Sequence, residues 1–582
     1  MAKIRKVLVA NRGEIAIRIF RACKDMDIAT VAIYSEIDRD ALHVQYADEA
    51  FFVGETAPAK SYLNIPRILE VAHRAGADAI HPGYGFLAES SAFAAAVTEA
   101  GLIWIGPPAG AIEQAGDKVS ARRIAAAASV ASVPGTAEPI SGPGAIQAFA
   151  SEHGWPVALK AAKGGGGRGF RVVKSQDEAA AAFDSATREA EVSFGSSEIY
   201  LERYLQNPRH VEIQIIADTH GNVVHLGERD CSLQRRHQKL VEESPSPAVG
   251  PQLRKQMGEA AVRLAKQVGY ESAGTVEFLL EQSEAGPEFW FLEINTRLQV
   301  EHPVTELVTG MDLAQLMITV AQGDPLGFEQ SDVTFRGHAI ECRINAENPA
   351  QDFLPNPGKI EGYQEPSGPG VRVDAGVRSG GMISAHYDSL ISKLICYGAT
   401  REQAIQATLR ALDEYRIEGL VTTIPFHQLA LSSPWFADGD FSTKTVESAM
   451  DLTTLDVGPM GRPVAPPGHR RYSVEVNGKR YGVKVLEKSE TLRQKPKPPD
   501  LSGSGAPAGS GDQLAAQMQG TVVKVLREVG DRVKAGDPIV VLEAMKMENQ
   551  VTCHVDGVVS EIRFQPGQTA SIGAVLAVVV PD

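Results

Sequence analysis

Residues 490–511 run Lys/Pro-rich and then Ser/Gly/Ala-rich, a composition from which no packed core can be built. A stretch of this kind has to join bodies that fold apart from one another. It therefore constrains the architecture more than any other segment: a large body before it and a small one after it. The proline part is stiff and the glycine part flexible, and about twenty flexible residues span roughly 25 Å on average. The larger body also exceeds a single core, because 582 residues predict roughly three to five domains.

The composition is that of ordinary soluble protein, with 43% apolar and 22% charged residues. The formal charge of −15 argues against nucleic acid as a partner. The five cysteines (Cys23, Cys231, Cys342, Cys396, Cys553) show neither metal-binding nor disulfide spacing, which fits a reducing compartment. No apolar run approaches a membrane span, and residues 1–5 lack a signal peptide's apolar region. A cytoplasmic protein with no membrane partner is expected.

Before the linker the chain begins as an open parallel sheet: a strand at 6–10, the turn Asn11-Arg12-Gly13-Glu14, a helix at 15–25 and a strand at 30–34. Gly-x-Gly-x-x-Gly is absent from that turn, so dinucleotide binding is not indicated. Gly164-Gly165-Gly166-Gly167-Arg168-Gly169 lies between apolar strands at 157–159 and 170–173, where a flexible linker seldom sits. Backbone N–H groups without Cβ atoms can approach an anion closely, which points to phosphate. Lys160 on the preceding strand is placed to neutralise it.

Further on, His210, Glu212 and Gln214 share one face of a strand, either a site or a solvated edge. The run 229–239 reads by composition as a basic surface patch. Strands at 274–280 and 288–295 form a hairpin that, closing near Ala285, sets Glu277 opposite or diagonal to Glu293, with Asn295 on the same face. Facing carboxylates repel unless a cation lies between them, and oxygen-only ligands favour Mg²⁺. Arg297, Gln299 and Glu301 alternate; a guanidinium beside a carboxylate suits a small bidentate anion whose proton the carboxylate takes. Arg343 is a second fixed positive charge. Residues 471–486 form a hairpin turning at Asn477-Gly478, too small for a catalytic domain and read as docking a partner or the C-terminal body. After the linker, short Val-rich runs alternate with Gly-Asp and Pro-Gly turns, an all-β pattern with Lys546 at a turn.

Several of these motifs carry a resemblance. Asn-Arg-Gly-Glu-Ile-Ala, His81-Pro82-Gly83-Tyr84-Gly85-Phe86-Leu87, the run 229–239 and the run 291–303 resemble biotin carboxylase, and the glycine loop resembles the lid of ATP-grasp enzymes. Glu543-Ala544-Met545-Lys546-Met547 resembles the biotinyl domain of biotin-dependent carboxylases, although Met518-Gln519-Gly520 departs from its usual Met-Pro-Gly. Together they resemble the α subunit of an actinobacterial-type acyl-CoA carboxylase, an ATP-grasp ligase. The resemblance implies an α/β multidomain fold: an N-terminal parallel-sheet domain (1–115), an ATP-grasp domain (116–333), an α+β C-terminal biotin carboxylase domain (334–452), the hairpin region (453–487), the linker (488–513) and an all-β flattened-barrel biotinyl domain (514–582).

It also implies the site. Lys118, Lys160, residues 164–169, Glu202 and His210 hold ATP; Gln234, His237 and Lys239 lie around phosphate and bicarbonate; Glu277, Glu293 and Asn295 bind Mg²⁺ or Mn²⁺. Arg297, Gln299 and the Val300 backbone hold bicarbonate, Glu301 is the base, Arg343 stabilises the biotin enolate, and Lys546 carries biotin. Implied partners are a carboxyltransferase β subunit, biotin protein ligase and further copies of the chain within an α/β complex. Acetyl- or propionyl-CoA is the expected acyl class, with methylcrotonyl- or geranyl-CoA carboxylase and a non-biotin ATP-grasp ligase as alternatives.

Overall fold

Val211, Ile213, Ile215 and Ala217 alternate with His210, Glu212 and Gln214 along the Arg209–Ala217 strand, and this period of two gives the central sheet two unlike faces. The computed structural model describes residues 3–116, 118–136, 138–161, 170–194, 197–283, 286–457, 469–476, 479–486, 513–516, 520–544, 547–570 and 573–581. The sheet has eight antiparallel strands in the order Gly286–Asn295, Ser272–Ser283, Arg209–Ala217, Val223–Arg235, Gln238–Ser244, His338–Asn345, Leu390–Gly398 and Val371–Ala375. Arg209–Ala217 is third in that order and paired on both sides, so its polar face is not a solvated edge. Glu212 and Gln214 are fully buried.

The apolar face packs on the Pro251–Gln267 helix, whose Met257, Ala260, Ala261 and Leu264 join Val211, Ile213 and Ile215 in one core. Each large apolar side chain buried there contributes about 1.5–3 kcal/mol. The polar face is the one that bears the chemistry. The sheet does not stop near residue 334. Val241 pairs with Cys342 and Ser244 with Ala339, so the ladder runs unbroken into the His338–Asn345 strand.

Two smaller sheets border this face. The N-terminal sheet is parallel, in the order Glu49–Gly54, Ala29–Ser35, Lys6–Val9, Ala79–His81, Ile103–Trp104. The Gly13–Asp25 helix follows its first strand. Asn11 Nδ2 donates to the carbonyls of Pro82 (2.8 Å) and Tyr84 (2.7 Å). Gly83 between them has φ +67°, and a Cβ there would meet Asn11 Nδ2 at 3.0 Å, so both conformation and space call for glycine. The second sheet has three strands, Phe170–Val173, Val157–Ala161 and Ile199–Arg203, covered by the Pro143–His153 and Gln176–Phe194 helices.

His469–Val476 and Lys479–Leu486 pair as the expected antiparallel hairpin, with Val476 opposite Lys479. The C-terminal body is two four-stranded sheets. Its strands Gly520–Val525 and Gly557–Ile562 occupy matching places and bury the same pattern of residues. Ala544 pairs with Met547 at the end of the Pro538–Ala544 and Met547–Thr552 ladder; Lys546, expected at a turn, lies outside the described residues. All five cysteines are buried and unbridged. Among the described residues no single helix is long and apolar enough to cross a membrane.

Candidate active site

The polar face of the central sheet gathers residues from positions 210 to 343. The Ser272–Ser283 and Gly286–Asn295 strands pair with Glu277 directly opposite Glu293 and Thr275 opposite Asn295, one of the two placements expected for Glu277 and Glu293, and a register shift between Glu277 and Phe278 is what brings the two carboxylates level. Glu277 is nearly closed off. His210 Nε2 lies 2.8 Å from its Oε2, while Lys239 Nζ (2.9 Å) and Asn295 Nδ2 (2.7 Å) donate to its Oε1. Burial works against ionisation of Glu277, but Lys239 and His210 outweigh it and hold the carboxyl far below the usual range. Desolvation around the Glu293 carboxyl together with the charge of Glu277 pushes it up. A divalent cation relieves that repulsion, so this oxygen set fits Mg²⁺ or Mn²⁺. Ligand atoms of His210, Glu212 and Glu277 also lie within 4.8 Å of one another.

Lys239 is the hub. Its ammonium donates to Glu212 (2.6 Å), Glu277 (2.9 Å) and Glu301 (2.7 Å), three partners for three N–H bonds. Burial alone would lower its pKa, but the three carboxylates raise it well above the ordinary lysine value. Glu301 is fully buried, and its other oxygen accepts from Arg343 Nη2 at 2.8 Å. Burial opposes its charge, yet Lys239, Arg343 and Arg229 hold it well below the usual carboxylate range. Arg343 Nε also donates to Glu242 at 2.6 Å.

Residues 297–301 are not a strand but a loop, bent at Arg297 and turning at Val300–Glu301, that ends at Glu301, the N-cap of the His302–Thr309 helix. Arg297 Nη1 donates to Gln299 Oε1 at 2.8 Å. Gln299 Nε2 is buried without a hydrogen-bond partner, a donor left for an anion's oxygen. Bicarbonate fits that donor set.

The run 229–239, which by composition looked like surface, is mostly interior. Arg229 is fully buried and satisfied by Glu212 (2.6 Å), Gln214 (2.7 Å), Thr305 (2.9 Å) and Thr275 (3.1 Å). Gln234 is buried opposite Lys239. Arg236 and His237 form the turn that follows, both at positive φ (49° and 65°), a cost that side chains other than glycine accept where position matters. Lys160 of the three-stranded sheet and Arg122 of the Lys118–Ala127 helix each bind one oxygen of Glu202. Lys160 is thus paired with a carboxylate, and a phosphate would have to compete for it. Lys118 opens the Lys118–Ala127 helix; its side chain and residues 164–169 lie outside the described set.

Sequence reasoning passed over Arg229, Arg122, Glu242 and Glu89. Glu89 accepts from Arg297 Nε at 3.0 Å and from the Thr296 N–H at 3.3 Å. Glu89 directly follows the singled-out run 81–87 by two residues, which was the only available signal.

Four family descriptions match the chain: "Biotin carboxylase, N-terminal domain" over residues 3–112, "Carbamoyl-phosphate synthase L chain, ATP binding domain" over 117–329, "Biotin carboxylase C-terminal domain" over 341–448 and "Biotin-requiring enzyme" over 512–579. The chain is 48% identical to the biotin-dependent acyl-coenzyme A carboxylase alpha3 subunit of Mycobacterium leprae, covering 99% of this chain and 98% of that one. It is 38% identical to a methylcrotonoyl-CoA carboxylase subunit alpha of Dictyostelium discoideum and 37% to a propionyl-CoA carboxylase alpha chain of Ruegeria pomeroyi, each over at least 96% of the relative. Among solved structures it is similar to the biotin carboxylase domain of Hydrogenobacter thermophilus 2-oxoglutarate carboxylase, crystallised with MgADP and bicarbonate (TM-score 0.71, 46% identity, 77% of this chain and 98% of that one). The layered α/β body with a C-terminal all-β domain is the architecture the resemblance implied, and the reading as a non-biotin ligase is set aside by the C-terminal match. The chain belongs to the family of biotin-dependent acyl-coenzyme A carboxylase α subunits, in which an ATP-dependent biotin carboxylase and a biotin carrier domain share one polypeptide.

Proposed function

We propose that the chain uses ATP to join bicarbonate to biotin carried on its own Lys546, and passes the carboxyl group to a separate carboxyltransferase β subunit acting on acetyl- or propionyl-CoA. The observation that carries this reading is the Glu301 cluster. A buried carboxylate accepts from Lys239 and Arg343, and it directly follows the loop in which Arg297 binds Gln299 and the Gln299 Nε2 is buried and unpartnered. That is a base adjoining an anion pocket.

In this reading Lys118, Lys160, the 164–169 loop, Glu202, His210, Gln234 and His237 bind and orient ATP. Arg297, Gln299 and the Val300 backbone hold bicarbonate. At rest Glu301 is a poor base because two cations stabilise its charge. An incoming anion draws Arg297, Lys239 and Arg343 toward itself and so raises the proton affinity of Glu301. Glu301 then takes the bicarbonate proton as the freed oxygen attacks the γ-phosphorus, giving carboxyphosphate and ADP. Magnesium, held by Glu277, Glu293 and Asn295, would offset charge on the phosphate oxygens. Biotin supplies the nitrogen that accepts the carboxyl group. Carboxyphosphate gives up CO₂ and phosphate, the phosphate takes the proton that this nitrogen loses, and Arg343 keeps a fixed positive charge there.

Two variants test the assignment. Glu301→Gln is expected to bind ATP normally and to lose bicarbonate-dependent ATP hydrolysis by on the order of a hundredfold or more. Normal turnover would remove Glu301 from the role of base. Lys546→Arg keeps the charge and is expected to abolish biotin labelling by biotin protein ligase; continued capture on streptavidin would refute the attachment residue. Purified chain mixed with acetyl- or propionyl-CoA is expected to give product only once a β subunit is added, and product with methylcrotonyl-CoA alone would overturn the acyl class.

A further inference from the structure

Lys393 is fully buried, on the Leu390–Gly398 strand. Its ammonium donates to the carbonyl of Val300 at 3.0 Å. That carbonyl belongs to the peptide unit whose nitrogen is Glu301's own. A hydrogen bond to it fixes the plane through which Glu301 enters the His302–Thr309 helix, and therefore the direction of the Glu301 side chain. A buried ammonium is a costly way to hold one carbonyl unless other groups partner it. Glu14 Oε2 lies 3.2 Å away and Asp374 Oδ2 3.8 Å away, and the Tyr84 ring centroid is 5.8 Å from the nitrogen.

Those partners come from three separate elements. Glu14 is in the first turn of the Gly13–Asp25 helix, and its other oxygen accepts from the Tyr84 hydroxyl. Tyr84 follows the Gly83 turn that Asn11 pins. Asp374 pairs across the sheet with Lys393 and is held by Arg372 at 2.8 Å. Arg343, which binds Glu301, sits directly opposite Lys393 in the neighbouring strand. Glu341, two residues before Arg343, is buried with both oxygens unpartnered. The charged groups facing Lys393 are thus Glu14, Asp374 with Arg372, Arg343 and Glu341.

We propose that Lys393 is a positioning residue for the base: its ammonium sets the Val300–Glu301 peptide, and Glu14 of the N-terminal sheet domain holds that ammonium in place. This rests on the reading of Glu301 as base and of residues 297–300 as the bicarbonate loop. It makes the N-terminal domain part of the bicarbonate site and explains why Asn11, Glu14 and the 82–84 turn lie together.

The test uses the full chain with ATP, bicarbonate and free biotin, measuring the KM for each of ATP and bicarbonate, and the melting temperature. Lys393→Met strands the Glu14 carboxylate and is expected to lower the melting temperature, whereas Lys393→Met/Glu14→Gln removes both charges and is expected to melt close to wild type. Both are expected to raise the bicarbonate KM on the order of tenfold to a hundredfold while leaving the ATP KM within about twofold, since an ångström of misplacement has that effect on a reacting group. Glu14→Gln alone keeps Lys393 but loosens it, and is expected to raise the same KM severalfold. An unchanged bicarbonate KM in the Glu14→Gln or the double variant overturns the proposal. So does an equal rise in both KM values, which is what a merely structural role would give. If Glu301→Gln retains bicarbonate-dependent turnover, the reading of the site fails and the proposal with it; if Glu301→Gln is inactive and the Lys393 variants bind bicarbonate normally, the proposal alone fails.

Discussion

The central sheet and the C-terminal barrel are both built from antiparallel strands, yet they treat charge in opposite ways. The sheet buries Arg229, Lys393, Glu212, Glu301 and Glu341 at no more than 1% exposure. In the barrel, Val522, Leu542, Val559, Leu576 and Val579 make the core, and no charged side chain among its described residues is buried. Desolvating an ion is expensive unless a partner repays it, so a fold accumulates buried ions only where chemistry needs them oriented before substrate arrives. The barrel has no such task.

This contrast can be broken most directly at Arg229. Replacing it by Met leaves Glu212 buried with one cation fewer, and the catalytic body is expected to lose about 3–5 kcal/mol in chemical denaturation. The barrel's own transition should not move. A loss below about 1 kcal/mol would mean that the buried network is dispensable and the comparison empty. A smaller effect is expected at Gly557, where a Cβ would meet the Val580 carbonyl oxygen at 2.2 Å, too close to be relieved by side-chain motion. Gly557→Ala is expected to destabilise the barrel by about 1–3 kcal/mol, leaving ATP hydrolysis with free biotin unchanged.

The smallest effect sharpens the electrostatic side. Burial pushes the Glu347 carboxyl up to about 7, against the hydrogen bond from Ser389. A raised carboxylate pKa means that the folded state holds its proton longer than the unfolded chain does. Stability from this group is therefore present below the ordinary carboxylate range and is lost as pH rises from about 4.5 to 7. Glu347→Gln is expected to flatten that decline by about 1 kcal/mol or more, read as the difference in unfolding free energy between pH 4.5 and 8. An unaltered slope would assign the titration elsewhere, with Glu14 and Glu242, both also raised to about 7, as the next groups to replace.

What the sequence made legible follows from periodicity and local reach. The nearness of Glu277 to Glu293 followed from a hairpin length, although the direct pairing also needs the register shift beside Glu277, and the shared face of His210, Glu212 and Gln214 needed only the strand's period of two. The run 229–239 misled composition because a guanidinium with four buried partners looks, in sequence, like one bound to water. The roles of Glu14, Glu89 and Lys393 escaped for a different reason. Glu14 meets Lys393, Glu89 meets Arg297 208 residues on, and Lys393 meets the Val300 carbonyl 93 residues back, and no local pattern encodes which strand a distant side chain will touch.

The ladder from Gln238–Ser244 into His338–Asn345 has one more consequence. Compositional units in this molecule are not units of excision. A cut between them would bare two raw strand margins, each a row of unclaimed amides and carbonyls ready to recruit a neighbouring molecule. It would also take Arg343 away from Glu301. Recombination in this family can be expected to respect the tether ahead of the barrel and to leave the great sheet whole.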